Sequence, residues 1–250
     1  LAAAGYRVVA PCLRGYEPSS QVANGHYPIP VMTEDVIALM DHLGAEKAHL
    51  IGHDWGAAIT YMAGTAFPDR FLSLTTMTVP HPGRFGEEIR SHRQQMRRSW
   101  YMSFFQLRGV SEFVVSFNNY AFIRKLWRDW SPGWAFTEED ISPVIETLKR
   151  PGVKKAALGY YRSARATSSS SNLPEAGFKV PVPTLALTGS KDGCIGADFF
   201  KLTTRAEDFP AGVELREIPD VGHFMHQEAP GTTNDLLINW LARHDEQAQS

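Results

Sequence analysis

Gly52-His53-Asp54-Trp55-Gly56 sets an acidic side chain between two glycines, where the apolar residues Leu50-Ile51 end and a helical pattern begins. A small-x-nucleophile-x-small sequence at a strand-to-helix junction makes a sharp turn that presents its middle residue at the sheet edge. Glycines suit such a turn because neighbouring backbones come close. A carboxylate at the tip can attack carbon and form an alkyl ester on the enzyme, which water must then cleave. Asp is also a favoured helix N-cap, so the motif alone admits a purely structural reading. Two later residues shift the balance. Asp192, in Lys191-Asp192-Gly193, follows the apolar run 182–188, and His223, in Gly222-His223-Phe224, follows the alternating run 213–218. Each alone is equally a turn or loop residue. With Asp54 they put three polar residues at the C-terminal ends of three expected strands, in the order nucleophile, acid, histidine. That edge of an open α/β sheet is where ligands bind. His223 would take a proton from water, and Asp192 would hold its ring tautomer and stabilise the imidazolium.

The elements that must position these residues alternate. Tyr6–Pro11 is a β-branched run and a strand candidate. Loop sequence extends to Pro30, and Thr33-Glu34-Asp35 opens a helix that Gly44 stops. A strand over 47–51, the helix 57–67 and a strand over 71–79 follow. This β, α, β, α, β order predicts a mostly parallel sheet with helices on both faces, joined by right-handed crossovers. After Pro82 the strand signal stops. Helical stretches fill 86–166, with Trp100, Trp127, Trp130 and Trp134 and many Phe and Tyr residues. Such aromatics either pack on themselves or line a pocket. A polar Thr167-Ser-Ser-Ser-Ser-Asn172 linker leads back to the sheet pattern, with a helix over 197–209, a strand over 213–218 and a last helix over 234–243. The organisation expected is therefore core over 1–82, a helical cap over 83–172 and core again over 173–250. The tail from Asp245 is expected to fray.

Composition narrows the function classes. The 250 residues are 43% hydrophobic and 21% charged, ordinary for a globular chain. A net charge of −2 gives no electrostatic case for nucleic acid. The densest basic run, Arg90-Ser91-His92-Arg93 with Arg97-Arg98, reads as a solvated helix face. Cys12 and Cys194 form no metal-ligand spacing, so no metal is expected and a reduced, cytoplasmic protein is the default. No apolar run is long enough for a membrane span.

Taken together, Leu13-Arg14-Gly15-Tyr16 with Ser19, Gly52-His53-Asp54-Trp55-Gly56, Ser99-Trp100-Tyr101 with Phe105-Gln106-Leu107, Tyr160-Tyr161-Arg162, the Asp192 loop and Gly222-His223-Phe224 resemble the epoxide hydrolase branch of the α/β-hydrolase fold. The resemblance covers nearly the whole chain. It implies a detoxifying hydrolase acting on a small apolar epoxide with water as co-substrate and no cofactor. It further implies that two cap tyrosines donate to the epoxide oxygen, Tyr101 by its Ser-Trp-Tyr setting and Tyr161 because it precedes Arg162, with Tyr160 as the fallback. An alkoxide leaves poorly, so such acids are needed as charge develops. The N–H of Trp55 would serve the tetrahedral oxyanion.

In that family a His-Gly-x-Pro loop supplies a second oxyanion donor, and this sequence contains none. Leu1-Ala2-Ala3-Ala4-Gly5 reads as a helix end capped by glycine, so the first strands and that loop are expected to be missing upstream. Two other readings stand beside the epoxide one. A haloalkane dehalogenase would share the three residues and Trp55 but lack the tyrosine pair. A non-catalytic small-molecule binder on the same fold would fit the absent loop but not the intact Asp54, Asp192 and His223.

Overall fold

In a computed structural model, which describes residues 1–167 and 178–249, four strands form one parallel sheet in the order β1-β2-β3-β4. These are β1 (Ala48–His53), β2 (Phe71–Met77), β3 (Thr184–Gly189) and β4 (Val213–Ile218). The two central strands are almost wholly buried, and the two edge strands are not. Side chains of successive residues point to opposite faces. On one face Leu74 packs with Met40 of α1 (Ile29–His42) and Tyr61 and Ala63 of α2 (Trp55–Ala66). On the other, Met77, Leu185 and Leu187 pack with Met225 of α10 (Met225–Glu228) and Trp240 and Leu241 of α11 (Pro230–Gln249). Helices thus cover both faces, as the alternation predicts.

Several boundaries depart from expectation. Tyr6–Pro11 is not a strand: no neighbouring strand pairs with it among the described residues, and Val8 and Val9 are about half exposed. A β-branched run without a pairing edge has nothing to fill its ladder. Helix α1 begins at Ile29, not Thr33, because Pro28 and Pro30 occupy its N-terminus, where a missing N–H costs nothing. Thr33 instead sits inside the helix, and its hydroxyl donates back to the Ile29 carbonyl at 2.9 Å. The helix expected over 197–209 is broken into α9 (Ala197–Thr203) and a single turn, Ala206–Asp208. Hydroxyls of Thr203 and Thr204 bond back to Phe199 and Phe200 carbonyls at its end. The tail does not fray at Asp245, which lies within α11 and accepts from the Tyr6 hydroxyl (2.7 Å) and binds His49 Nε2 (3.0 Å).

Between β2 and β3 the described residues up to Thr167 form a helical segment: α3 (Pro82–Glu88), α4 (Arg93–Arg98), α5 (Trp100–Phe104), α6 (Val110–Trp130), α7 (Glu138–Lys149) and α8 (Val153–Thr167). Helix α6 is interrupted at residues 117–120, where Asn118, Asn119 and Tyr120 take positive φ. The second half of α6 then runs back to the sheet edge. Tyr101, Phe105, Trp127, Ile141 and Ile145 share one apolar cluster there with Phe199 and Phe200 of α9. The basic run does not form one helix face. It spans the break between α3 and α4, with His92 as the N-cap of α4. The polar linker after Thr167 lies outside the described residues.

The turn after β1 is tightly constrained at its strand end. A Cβ on Gly52 would run into the Gly56 carbonyl and the Thr60 hydroxyl, whereas one on Gly56 would meet nothing. The crowding is therefore at the strand end alone. Gly52→Ala is expected to cost about 2–3 kcal/mol by overpacking against backbone that cannot yield, read as a fall in denaturation midpoint with unchanged m-value. Gly56→Ala is expected to be nearly neutral.

Candidate active site

Asp54 follows β1 directly and holds φ 52° and ψ −119°, a conformation a non-glycine residue keeps only when its surroundings impose it. The strain turns the carboxylate out over the sheet's C-terminal edge. Its Oδ1 accepts from the Trp55 N–H at 2.7 Å, the first N–H of α2. Its Oδ2 lies 3.1 Å from His223 Nε2. On the far side of the ring, His223 Nδ1 lies 3.0 Å from Asp192 Oδ2. The other oxygen of Asp192 accepts from the N–H groups of Cys194 (2.7 Å) and Ile195 (2.9 Å). Asp192 and His223 are both buried. Three loops from three strands thus meet in one chain of hydrogen bonds, Asp54 to His223 to Asp192.

The helical segment clamps this chain from above. The Trp130 carbonyl, at the end of α6, accepts from the N–H groups of both Gly193 and His223, each at 3.0 Å. The Ser131 hydroxyl accepts from Phe224 N–H at 3.1 Å. From below, His53 Nε2 donates to the His223 carbonyl at 2.9 Å, and Glu228 accepts from Gly222 N–H at 2.8 Å. The sequence pointed to none of Trp130, Ser131 or Glu228. A main-chain carbonyl leaves no mark on residue type, and Ser131 stands in an ordinary Ser-Pro-Gly turn.

Between sheet edge and helical segment lies a cavity of about 560 Å³, a volume suited to a small organic molecule. Asp54 and Trp55 line its floor. Tyr101 and Tyr161 line it from the helical side, their rings 5.7 Å apart. Phe85, Ile89, Met102 and Ile195 make most of the remaining wall apolar. Tyr160 is elsewhere. Its ring stacks on Tyr27 and its hydroxyl donates to the Arg14 carbonyl at 2.5 Å, away from the cavity lining. Adjacent residues on a helix point about 100° apart, so Tyr161 lines the cavity and Tyr160 does not, although both rings pack edge-on against Trp55. Among the described residues, Trp55 is the one backbone N–H on the Asp54 carboxylate, and no group of three or more metal-ligating side chains occurs. No described helix is long and apolar enough to cross a membrane.

Electrostatics keep the groups in distinct protonation states. Burial opposes charge on His223, but Asp192 and Asp54 outweigh it and raise its pKa to about 10. Burial would likewise raise Asp54. The bond and charge of His223, with His53 and the Trp55 N–H, instead hold it below the usual carboxylate range. Burial pushes the hydroxyls of Tyr101 and Tyr161 well above the usual phenol range, with Asp54 adding to both, so both stay protonated donors. His53 and His226 go the other way. Burial and the nearby His223 charge lower them to about 3 and about 4. An unfolded chain takes up these protons near pH 6.5, so the stability His53 and His226 lend is present above pH 6.5 and drains as pH falls toward 4. His223 has the opposite sign: its contribution is full below pH 6.5 and lost as pH rises through about 10. The thermal midpoint is therefore expected to peak near neutrality, and His226→Gln to flatten the acid limb. A midpoint that holds constant from pH 6.5 to 4 would show that these histidines are solvated.

A family model described as the alpha/beta hydrolase fold matches residues 1–230. The chain is 30% identical over 243 residues to Epoxide hydrolase 4 of Homo sapiens, covering 94% of this chain and 65% of that protein. It is 31% identical over 239 residues to the AB hydrolase superfamily protein YfhM of Bacillus subtilis, covering 95% and 81%. A crystal structure of a point mutant of an epoxide hydrolase from Bacillus megaterium aligns with a TM-score of 0.77 at 25% identity, covering 92% of this chain and 82% of that one. The chain spans 65% and 66% of the length of the human and mouse Epoxide hydrolase 4 proteins.

Proposed function

The chain belongs to the alpha/beta hydrolase fold family, and on that premise we propose that it hydrolyses a small apolar epoxide to a vicinal diol through an ester on Asp54. The observation that carries this reading is the pair of protonated tyrosines, Tyr101 and Tyr161, lining the same cavity as an ionised, strained Asp54.

The chemistry runs in two halves. Asp54 Oδ2 attacks a ring carbon, the carbon–oxygen bond breaks, and its electron pair stays on the oxygen. That oxygen needs donors as charge develops, and the two phenols supply them. In the ester, Asp54 no longer carries charge, so one of the two anions that held the His223 proton is gone. The imidazole then loses its proton more readily, the ring-opened oxygen takes up one proton in its place to become the first hydroxyl, and His223 becomes a base. Neutral His223 takes a proton from water, the hydroxide attacks Cγ of the ester, and the Oδ1 oxyanion forms where the Trp55 N–H already sits. Asp192 stabilises the resulting imidazolium. Collapse breaks the Cγ–Oδ2 bond, the departing oxygen takes the proton of the hydroxyl that water delivered, and the diol leaves with the Asp54 carboxylate restored beside the imidazolium. The segment over 83–172, described as far as Thr167, acts as a cap over this site, with core on either side at 1–82 and at 173–250, the latter described from residue 178. The cavity wall suits an apolar substrate. Two free thiols, Cys12 and Cys194, agree with a reduced, cytoplasmic setting.

Diol formation from styrene oxide by the full-length protein tests the reading, with Asp54→Ala as control. Turnover is expected in the parent and a loss of about 10⁴-fold or more in Asp54→Ala, as for removal of other covalent nucleophiles. Halide release from a haloalkane without diol formation would assign the site to a dehalogenase. Full diol turnover in Asp54→Ala would remove the ester mechanism.

A further inference from the structure

The turn after β3 carries Asp192 and, two residues on, Cys194. The thiol is buried, lines the cavity, and its sulfur lies 3.2 Å from the Tyr101 hydroxyl. Among the described residues it is bonded to nothing else. Its main chain is fixed on both sides. The N–H donates to Asp192 Oδ1, and the carbonyl accepts from Gln95 Nε2 at 2.9 Å. Gln95 is itself buried on α4. It accepts from the Gly196 N–H and donates to the Ser99 hydroxyl, both at 3.0 Å. Ser99 stands at the first position before the helix that bears Tyr101, without a side-chain bond to that helix end. The acid loop and the Tyr101 helix are therefore held in one register, with the sulfur against the phenol.

Two physical effects give this contact a direction. A phenol oxygen is a better acceptor than a thiol sulfur. The Asp54 carboxylate, acting on Tyr101 across the cavity, favours the phenolic proton facing it over lone pairs facing it. We propose that Cys194 is a positioning residue for ring opening: its S–H donates to the Tyr101 oxygen, which turns the phenolic proton into the cavity toward the substrate oxygen. The kinetic part of this proposal rests on the epoxide reading, whereas the hydrogen bond does not. One turn would then serve both halves of the reaction, Asp192 through His223 and Cys194 through Tyr101.

The S–H stretch, which absorbs where other protein groups do not, reads the bond directly. In a Cys12→Ser background Cys194 is the remaining thiol of these 250 residues, and its band is the one that Cys194→Ala removes. Tyr101→Phe is expected to shift that band to higher frequency, and an unmoved band would overturn the proposal. In rapid mixing with styrene oxide, Cys194→Ala is expected to slow ester formation about 5–10-fold, the scale of one hydrogen bond. Cys194→Ser keeps a donor and is expected to restore most of that rate, with ester hydrolysis unchanged in both. Equal loss in the two variants, or loss in hydrolysis instead, also contradicts the proposal. If the parent forms no ester or diol, the epoxide reading fails, and the infrared band still decides the bond.

Discussion

His223→Gln is expected to stop the reaction halfway, with the protein gaining the mass of one epoxide molecule per chain. The ring sits between two carboxylates, 3.1 Å from Asp54 and 3.0 Å from Asp192, and is fully buried. Its work lies in the second half of the cycle, where water must lose a proton to attack Cγ. Glutamine fills part of the volume and still donates to Asp54, but it takes no proton. Ring opening depends on Asp54 and the two phenols, so the ester should form and then persist. Steady-state turnover is expected to fall by about 10⁴-fold or more, the scale seen when a general base of a covalent mechanism is lost. Intact-mass spectrometry reads the adduct, and peptide mapping should place it on Asp54. Asp54→Ala in the same background should show none. Diol production at the parent rate in His223→Gln, or an adduct that maps elsewhere, would show that the water is activated by another group.

Removing both cavity phenols is the second large effect. In Tyr101→Phe/Tyr161→Phe the rings and the cavity shape remain, and only the two donors to the developing alkoxide are gone. A positioned acid contributes about 10²–10⁴-fold, so each single change is expected to cost at least about 10-fold in ester formation and the pair about 10³-fold or more. The second change should cost more than the first, because one phenol can still serve the oxygen alone. Tyr160→Phe is the matched control. It removes a hydroxyl bonded to the Arg14 carbonyl outside the cavity and should alter stability but hardly the rate. If the double mutant opened the ring at the parent rate, Tyr101 and Tyr161 would be wall residues, and the dehalogenase assay would become the decisive one.

Much of this architecture is legible from residue types. Asp54 between glycines, Asp192 before a glycine and His223 after one are turn residues at the ends of apolar runs, and the structure brings all three together. Local pattern also marks the helical segment through its aromatics and missing β-branched alternation. Elsewhere local pattern misleads. Tyr6–Pro11 has strand-like residues, but a strand exists only through a neighbour, and pairing is not a local property. The start of α1 is hidden by two prolines that serve equally in loop and first turn. Tyr160 and Tyr161 are chemically identical in sequence, and only the rotation of α8 against Tyr27 and Asp54 tells them apart.

Residue types and their order are thus enough to say which side chains can react and in what order they meet the sheet edge, because strands, turns and helices follow from short-range periodicity and backbone preference. Packing settles what remains: that Oδ1 of Asp54 faces the Trp55 N–H while Oδ2 faces His223, that Tyr161 and not Tyr160 reaches the cavity, and that a carbonyl from Trp130 and a thiol from Cys194 touch the machinery from the side. Those are contacts between segments up to about 170 residues apart, set by how the helical segment packs on the sheet. No local pattern encodes them, since main-chain acceptors are the same in every residue and a buried thiol is an ordinary core side chain.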